Sequence, residues 1–168
     1  MAERTTKVEG TAKRLAGSEL KVGQKAPDFA LRDRDMNIKT LADYGRNVKL
    51  VSVVPSLDTD ICDQQTRRFN EEAVKHGDVV VITVSVDLPT AQERWCGAAG
   101  LRNVITLSDH FDVSFGRDYG VLMPELRLLS RAVFILKPDN TVAYVQYVPE
   151  VASHPDYNDV LKVLAGLQ

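Results

Sequence analysis

The segment Val48–Val54 (VKLVSVV), closed by Pro55, constrains this chain more than any other. A short run rich in branched apolar residues reads as a buried strand in a sheet covered on both faces. Proline ends it. Beyond it, Thr59 or Asp60 can cap a helix whose body, CDQQTRRFNEEAVKH, runs from Cys62 to His76 and stops at Gly77, where a left-handed residue costs little. Cys62 therefore falls in the first helical turn. The unpaired N–H groups and the positive end of the helix dipole there favour a thiolate over a thiol, and the thiolate is the form that attacks electrophiles.

The same stretch holds a counter-argument, since Asp58, Asp60 and Asp63 surround the sulfur and like charge disfavours a thiolate. A cation has to outweigh them. Arg67 and Arg68 lie well past the helix N-terminus, so an arginine brought in from another strand is the better candidate, its fixed charge and forked donors suiting a sulfur anion and a bound oxygen ligand. A lone cysteine is more often a small, inert core residue, and placement alone brings the two readings level. The second of the two cysteines, Cys96 in ERWCGAAG, is too far along the chain for a CxxC pair, and no second CxxC suggests zinc. His76, His110 and His154 are scattered as surface or helix-end residues would be, which disfavours a structural metal.

Further on, VVVITVS (79–85) reads as a second buried strand. LPTAQERWCGAAG (88–100) reads as a helix begun near Pro89 and ended at Gly97 or Gly100, with Cys96 near a frayed end. NVITLSD (103–109) is a third strand and FDVSFGRDYG a short helix or loop; AVFILKPDNTVAYVQYV is a pair of strands turned through Pro138, Asp139 and Asn140. The last segment is amphipathic, with Val160, Leu161, Val163, Leu164 and Leu167 on one face, and should close the fold as a helix. This order predicts an α/β fold with a central mixed sheet flanked by helices, whose active groups sit at the carboxyl ends of parallel strands, where Cys62 already lies. Short alternating stretches before Lys25 predict a small hairpin over one end.

A chain of 168 residues, 44% hydrophobic and 26% charged, fits one domain over residues 1–168 with a sizeable core. The first ten residues carry charges and no apolar stretch of signal-peptide length, and no run approaches a membrane span, so the expectation is a soluble, cytoplasmic protein with no membrane partner. A formal charge of −2 with mixed signs leaves no basic stripe for nucleic acid. The glycines make neither a phosphate loop nor a dinucleotide fingerprint, and none of Ser56, Ser85 and Ser108 sits in a nucleophile elbow. In a reducing compartment a permanent structural disulfide is disfavoured, so two cysteines point to transient, catalytic oxidation.

The segments PSLDTDIC, WCGAAGL, LSDH, FGRDYGV and SRAVFIL, in this order over nearly the whole chain and preceded by APDFAL (26–31), resemble the thiol peroxidase subfamily of the peroxiredoxins, the atypical two-cysteine kind. The resemblance implies a thioredoxin-like fold with an N-terminal β-hairpin, reduction of hydrogen peroxide and organic hydroperoxides in antioxidant defence, recycling by thioredoxin, and a homodimer. It calls for no cofactor and no metal. Carried residue by residue, Cys62 matches the peroxidatic cysteine and Cys96 the resolving cysteine of an intramolecular disulfide, while Pro55, Thr59 and Arg131 match the peroxide pocket. Arg131 is then the distant cation sought above. The Thr59 hydroxyl can donate to a peroxide oxygen as well as cap the helix, and Pro55 can shield the sulfur and fix the loop. Because a disulfide needs close α-carbons, the first turn of the Cys62 helix and the segment around Cys96 are expected to unwind locally.

Two features depart from the subfamily pattern. Trp95 stands where a smaller aromatic is more usual, and MPELRLLS (123–130) carries Pro124 near the expected dimer and pocket surface, with Met123 as a core or pocket-wall residue. A protein thiol–disulfide oxidoreductase normally has both cysteines within one helical turn, and the spacing argues against it. A redox-sensing module using the same disulfide stays open, separable by turnover with thioredoxin.

Overall fold

The computed structural model describes residues 3–101 and 104–167. In chain order these form β1 (Thr5–Val8), β2 (Thr11–Arg14), β3 (Leu31–Arg32), β4 (Ile38–Lys39), β5 (Lys49–Val53), α1 (Asp60–Ala73), β6 (Val80–Ser85), α2 (Pro89–Ala99), β7 (Ile105–Ser108), α3 (Ser114–Asp118), β8 (Leu122–Met123), β9 (Leu128–Leu129), β10 (Ala132–Leu136), β11 (Val142–Tyr147) and α4 (Tyr157–Gly166). Asn103, where the third strand was expected to open, lies outside the described residues.

Seven strands make one mixed sheet in the order β11-β10-β5-β6-β7-β3-β4. β5, β6 and β7 are parallel, joined through α1 and α2; β10 runs antiparallel to β5, β11 to β10, β3 to β7 and β4 to β3. The expected central mixed sheet is present, widened by the β3–β4 hairpin. Strands of two residues carry no readable periodicity, which is why the sequence did not announce them.

The pleat divides the core. Val51, Val53, Ile82, Val84, Phe134 and Leu136 point to one side, where they meet Phe29, Phe115 and Tyr119. Leu50, Val81, Val133 and Ile135 point to the other and meet Phe69 of α1 with Tyr157, Val160 and Leu164 of α4. The buried stripe of α1 is Cys62, Gln65, Thr66, Phe69 and Ala73, spaced as one helical face. Phe69 packs edge-on against Tyr157 at 5.3 Å, and truncating such a ring to alanine typically costs about 3–5 kcal/mol. The α1 body turns into a 3-10 segment, Val74–His76, and stops at Gly77 with φ 69°, as its glycine predicts.

The expected N-terminal hairpin is β1–β2, turning through Glu9 (φ 49°) and Gly10 (φ 81°). Positive φ at both turn residues matches the right-handed twist of two-residue hairpins. Lys7 N–H donates to Pro149 O at 2.9 Å and Val151 N–H to Lys7 O at 2.8 Å, while the Glu150 carboxylate accepts Glu9 N–H and Gly10 N–H at 3.2 and 2.7 Å. The hairpin is thereby fastened over the segment that follows β11. Pro124 sits in the turn between β8 and β9, which packs against this N-terminal region through an Ala16–Leu122 bridge; Met123 is buried beside Leu15 and Val151. Asp109, buried past the end of β7, accepts the Phe115 and Gly116 N–H groups at 3.2 and 2.8 Å, and burial pushes its pKa up to about 6.

Candidate active site

Between β5 and α1 the chain makes a tight loop pinned from the neighbouring strand. Asp87, just past the end of β6, accepts Ser56 Oγ–H at 2.8 Å, Leu57 N–H at 2.9 Å and Ser85 Oγ–H at 2.7 Å. Pro55 is buried, and Thr59 closes the turn by donating both its N–H and its Oγ1–H to Ser56 O, at 3.3 and 3.1 Å. Its hydroxyl hydrogen is thereby directed at a backbone carbonyl. The helix opens at Asp60, with Asp63 N–H donating to Thr59 O at 2.9 Å, so Cys62 is its third residue and is fully buried.

The three acids near the sulfur have different fates. Asp58 and Asp60 are exposed, where water and salt screen them. Asp63 is held by Arg67 one turn along α1 and accepts the Trp95 indole N–H at 3.2 Å. Arg68 instead lies over the Tyr157 ring at 4.3 Å, so neither helix arginine reaches Cys62.

The cation comes from β10. Ala132 pairs with Val53, so the start of β10 lies beside the carboxyl end of β5, where the loop to α1 begins. Period two puts Arg131 on the same face as Val133 and Ile135, the face that α1 covers. Arg131 is 2% exposed, and its Nη2 donates to Cys62 Sγ at 3.4 Å. Most of the remaining guanidinium is held in place: Nε and Nη2 donate to Val151 O at 3.0 and 2.8 Å, and Nη1 to Gln65 Oε1 at 2.9 Å. Gln65 in turn donates to Ser52 Oγ at 2.8 Å. Among the described residues Arg131 forms no ion pair with a carboxylate. A buried, unpaired guanidinium leaves a site for an anion, either the sulfur itself or an oxygen bound beside it. A cleft of about 350 Å³ leads to it, lined by Pro55, Thr59, Asp60, Ile61 and Arg131, by Val8 and Glu9 of the hairpin, and by Val151 and Ala152.

Cys96 occupies a different setting. It lies in the last turns of α2, fully buried, in one apolar cluster with Val54, Leu57, Cys62, Trp95 and Val104. The helix end expected to be frayed is closed: α2 runs to Ala99, Gly100 takes φ 70°, and Leu101 N–H donates to Cys96 O at 2.9 Å. Burial pushes the Cys96 thiol up, while Arg34, which also pairs with Glu93 at 3.4 Å, and Thr106 pull it down.

The structure thus brings Pro55, Thr59 and Arg131 into one cleft above Cys62, and puts Cys96 in the same cluster as Cys62 but outside that cleft. Sequence reasoning missed Asp87, Gln65, Val151 and Arg34. The Asp87 signal was available, since Asp87 stands two residues past a parallel strand, at the end where α/β sheets assemble their sites. Gln65 shares the helical face of Cys62, but an uncharged amide gave no reason to be singled out. Val151 acts through its carbonyl, which no side chain reveals.

Residues 21–161 match the redoxin family. The thiol peroxidase of Staphylococcus saprophyticus is 55% identical over 99% of this chain and 100% of its own length, and that of Staphylococcus aureus 57% identical over 88% and 89%. A peroxiredoxin-like protein from Aquifex aeolicus superposes with a TM-score of 0.90 at 37% identity, covering 98% of both chains. With its thioredoxin-like sheet, its N-terminal hairpin and a thiol facing a buried arginine, the chain belongs to the redoxin family and, within it, to the thiol peroxidases, which are thiol-dependent peroxidases of the peroxiredoxin type.

Proposed function

We propose that Cys62 is the peroxidatic cysteine, Cys96 the resolving cysteine, and Pro55, Thr59 and Arg131 the peroxide pocket, the whole chain folding as one domain. The Cys62 thiolate attacks one oxygen of a hydroperoxide. The S–O bond forms as the O–O bond breaks, Cys62 becomes a sulfenic acid, and the departing alkoxide or hydroxide takes up a proton to leave as alcohol or water. Arg131 and the N–H groups at the start of α1 stabilise the negative charge that develops. Pro55 keeps bulk water from the sulfur, and Thr59 exchanges its bond to Ser56 for one to the peroxide. Cys96 then closes a disulfide with Cys62, which thioredoxin reopens by thiolate exchange.

The observation that carries this reading is the Arg131 guanidinium donating to Cys62 Sγ at 3.4 Å while Val151 O and Gln65 Oε1 fix its orientation. A lone buried arginine is costly unless an anion uses it. The apolar side of the cleft, made by Val8, Ile61, Val151 and Ala152, supports organic hydroperoxides as substrates beside hydrogen peroxide. No helix among the described residues is long and apolar enough to cross a membrane, which is compatible with work in the cytoplasm, and the subfamily resemblance supports a homodimer.

The test is intact mass after one equivalent of peroxide on the reduced protein. The wild type should lose two hydrogens, Cys96→Ser gain one oxygen, and Cys62→Ser stay unchanged; an inert wild type sinks the assignment. Repeated turnover with thioredoxin supplied separates a peroxidase from a sensor, which needs to react only once.

A further inference from the structure

Trp95 is the chain's single tryptophan, and its contacts cross between the two cysteine-bearing helices. The ring is 9% exposed and belongs to the apolar cluster that holds both cysteines. Its indole N–H must find an acceptor there. That acceptor is Asp63 Oδ2 at 3.2 Å, on the residue directly after Cys62. Asp63 Oδ1 takes Arg67 Nε–H, and the Arg67 guanidinium returns over the Trp95 ring at 5.7 Å from its centroid. Carboxylate, guanidinium and indole thus close a ring of three contacts, two of which join α1 to α2. None of the three residues lines the cleft that leads to Arg131.

We infer that Trp95, Asp63 and Arg67 form a latch that holds the first turn of α1 to the last turns of α2 and sets the rate at which Cys96 resolves the Cys62 sulfenic acid. The inference rests on the roles given to the two cysteines above. In that step Cys96 Sγ attacks the sulfenic sulfur, the S–S bond forms, the Cys62 S–O bond breaks, and the Cys96 thiol proton leaves with the hydroxide as water. Both cysteines are buried within regular helix on separate elements, and in the proposed step both helical turns open locally as the disulfide forms. Asp63 and Trp95 are the immediate neighbours of Cys62 and Cys96, and neither turn can unwind with the latch closed. An isolated Asp63–Arg67 pair on a half-exposed helix face would be worth little. The buried indole makes the difference, because its N–H loses its acceptor when the helices part. A tight latch also prolongs the sulfenic acid and so exposes it to a second peroxide, which carries it to the sulfinic state.

Trp95→Phe removes the N–H and keeps the aromatic bulk. Rapid mixing of the reduced variant with peroxide, quenched by alkylation and read by mass, separates sulfenic acid formation from disulfide formation. Sulfenic acid should form at the wild-type rate, the disulfide roughly threefold to tenfold faster, and less sulfinic acid should accumulate under excess peroxide. Asp63→Asn, which keeps an acceptor for the indole but loses the charge, should fall between. Amide exchange in Trp95→Phe should quicken at residues 60–64 and 94–101 and nowhere else. Should the variant not fold, Trp95 emission in the wild type gives the same information: it must change with the disulfide step and not with the sulfenic step. Equal or slower disulfide formation, or an equal effect on both steps, overturns the latch. A wild type that forms no disulfide at all overturns instead the roles of Cys62 and Cys96 on which it rests.

Discussion

The two cysteines of this chain lie in one apolar cluster, yet opposite ends of a helix hold them. Cys62 is the third residue of α1, under an arginine that donates to its sulfur. Cys96 lies three residues before the end of α2, beneath carbonyls that close a left-handed cap, and burial pushes its thiol up. Helix direction and a neighbouring cation both set them apart: Cys62 lies at the positive end of α1 beneath Arg131, and Cys96 near the negative end of α2. The difference teaches that two equally buried thiols in one cluster can be given unlike electrostatic surroundings by the helix ends that carry them, which is what the sequential roles proposed for them require.

Four substitutions would break or sharpen this contrast. Arg131→Met should do most, lowering kcat/KM for peroxide about 10²–10³-fold, in line with losing one donor aimed at developing charge, while disulfide formation from preformed sulfenic acid changes far less. Stopped-flow peroxide consumption checks it; an unchanged rate would mean that the contact to Cys62 is only packing. Gln65→Leu comes next. It frees Arg131 Nη1 and Ser52 to move, and peroxide consumption should fall about tenfold, with the loss read from the same traces.

Arg34→Met addresses the other thiol. With burial raising the Cys96 pKa and Arg34 opposing it, removing Arg34 moves the thiol further up, so thiolate becomes scarcer at any given pH below its midpoint. The pH profile of disulfide formation should shift upward and the rate at neutral pH drop severalfold, while the profile of sulfenic acid formation stays in place. A shift of both profiles together would contradict the separation. Gly100→Ala has the smallest effect. Nothing lies within 4 Å of the added Cβ, but φ of 70° strains any L side chain, so thermal unfolding should report about 1 kcal/mol of lost stability.

Much of the Cys62 side was legible because it is built from strong local signals. A branched apolar strand, a proline, a helix with a buried stripe and a C-terminal glycine all act over a few residues, and period two gives Arg131 its face once the β10 strand is recognised. What stayed hidden is what works at long range or through the backbone. Asp87 holds the Ser56–Leu57 loop from a neighbouring strand, Val151 reaches Arg131 through its carbonyl, and β3 joins the sheet by pairing to β7, with β4 paired to β3, and not by any pattern of their own. On the Cys96 side two glycines offered two helix ends, and the choice of Gly100 was decided by Leu101 N–H reaching back to Cys96 O. Trp95, read only as a departure from the subfamily, finds its polar partner on another helix, which no spacing within α2 could reveal.

The clasp between the N-terminal hairpin and the segment after β11 has a consequence for synthesis. Val8 and Glu9 wall the cleft on one side, Val151 and Ala152 on the other, and Glu150 fastens the hairpin tip through Glu9 and Gly10. A chain emerging from the ribosome completes β5, and with it the strand that leads to Cys62, long before Arg131 or Glu150 exists. Throughout translation it therefore carries its thiol with neither guanidinium nor cleft, and the pocket proposed for the peroxide is complete only when the hairpin and the segment after β11 meet.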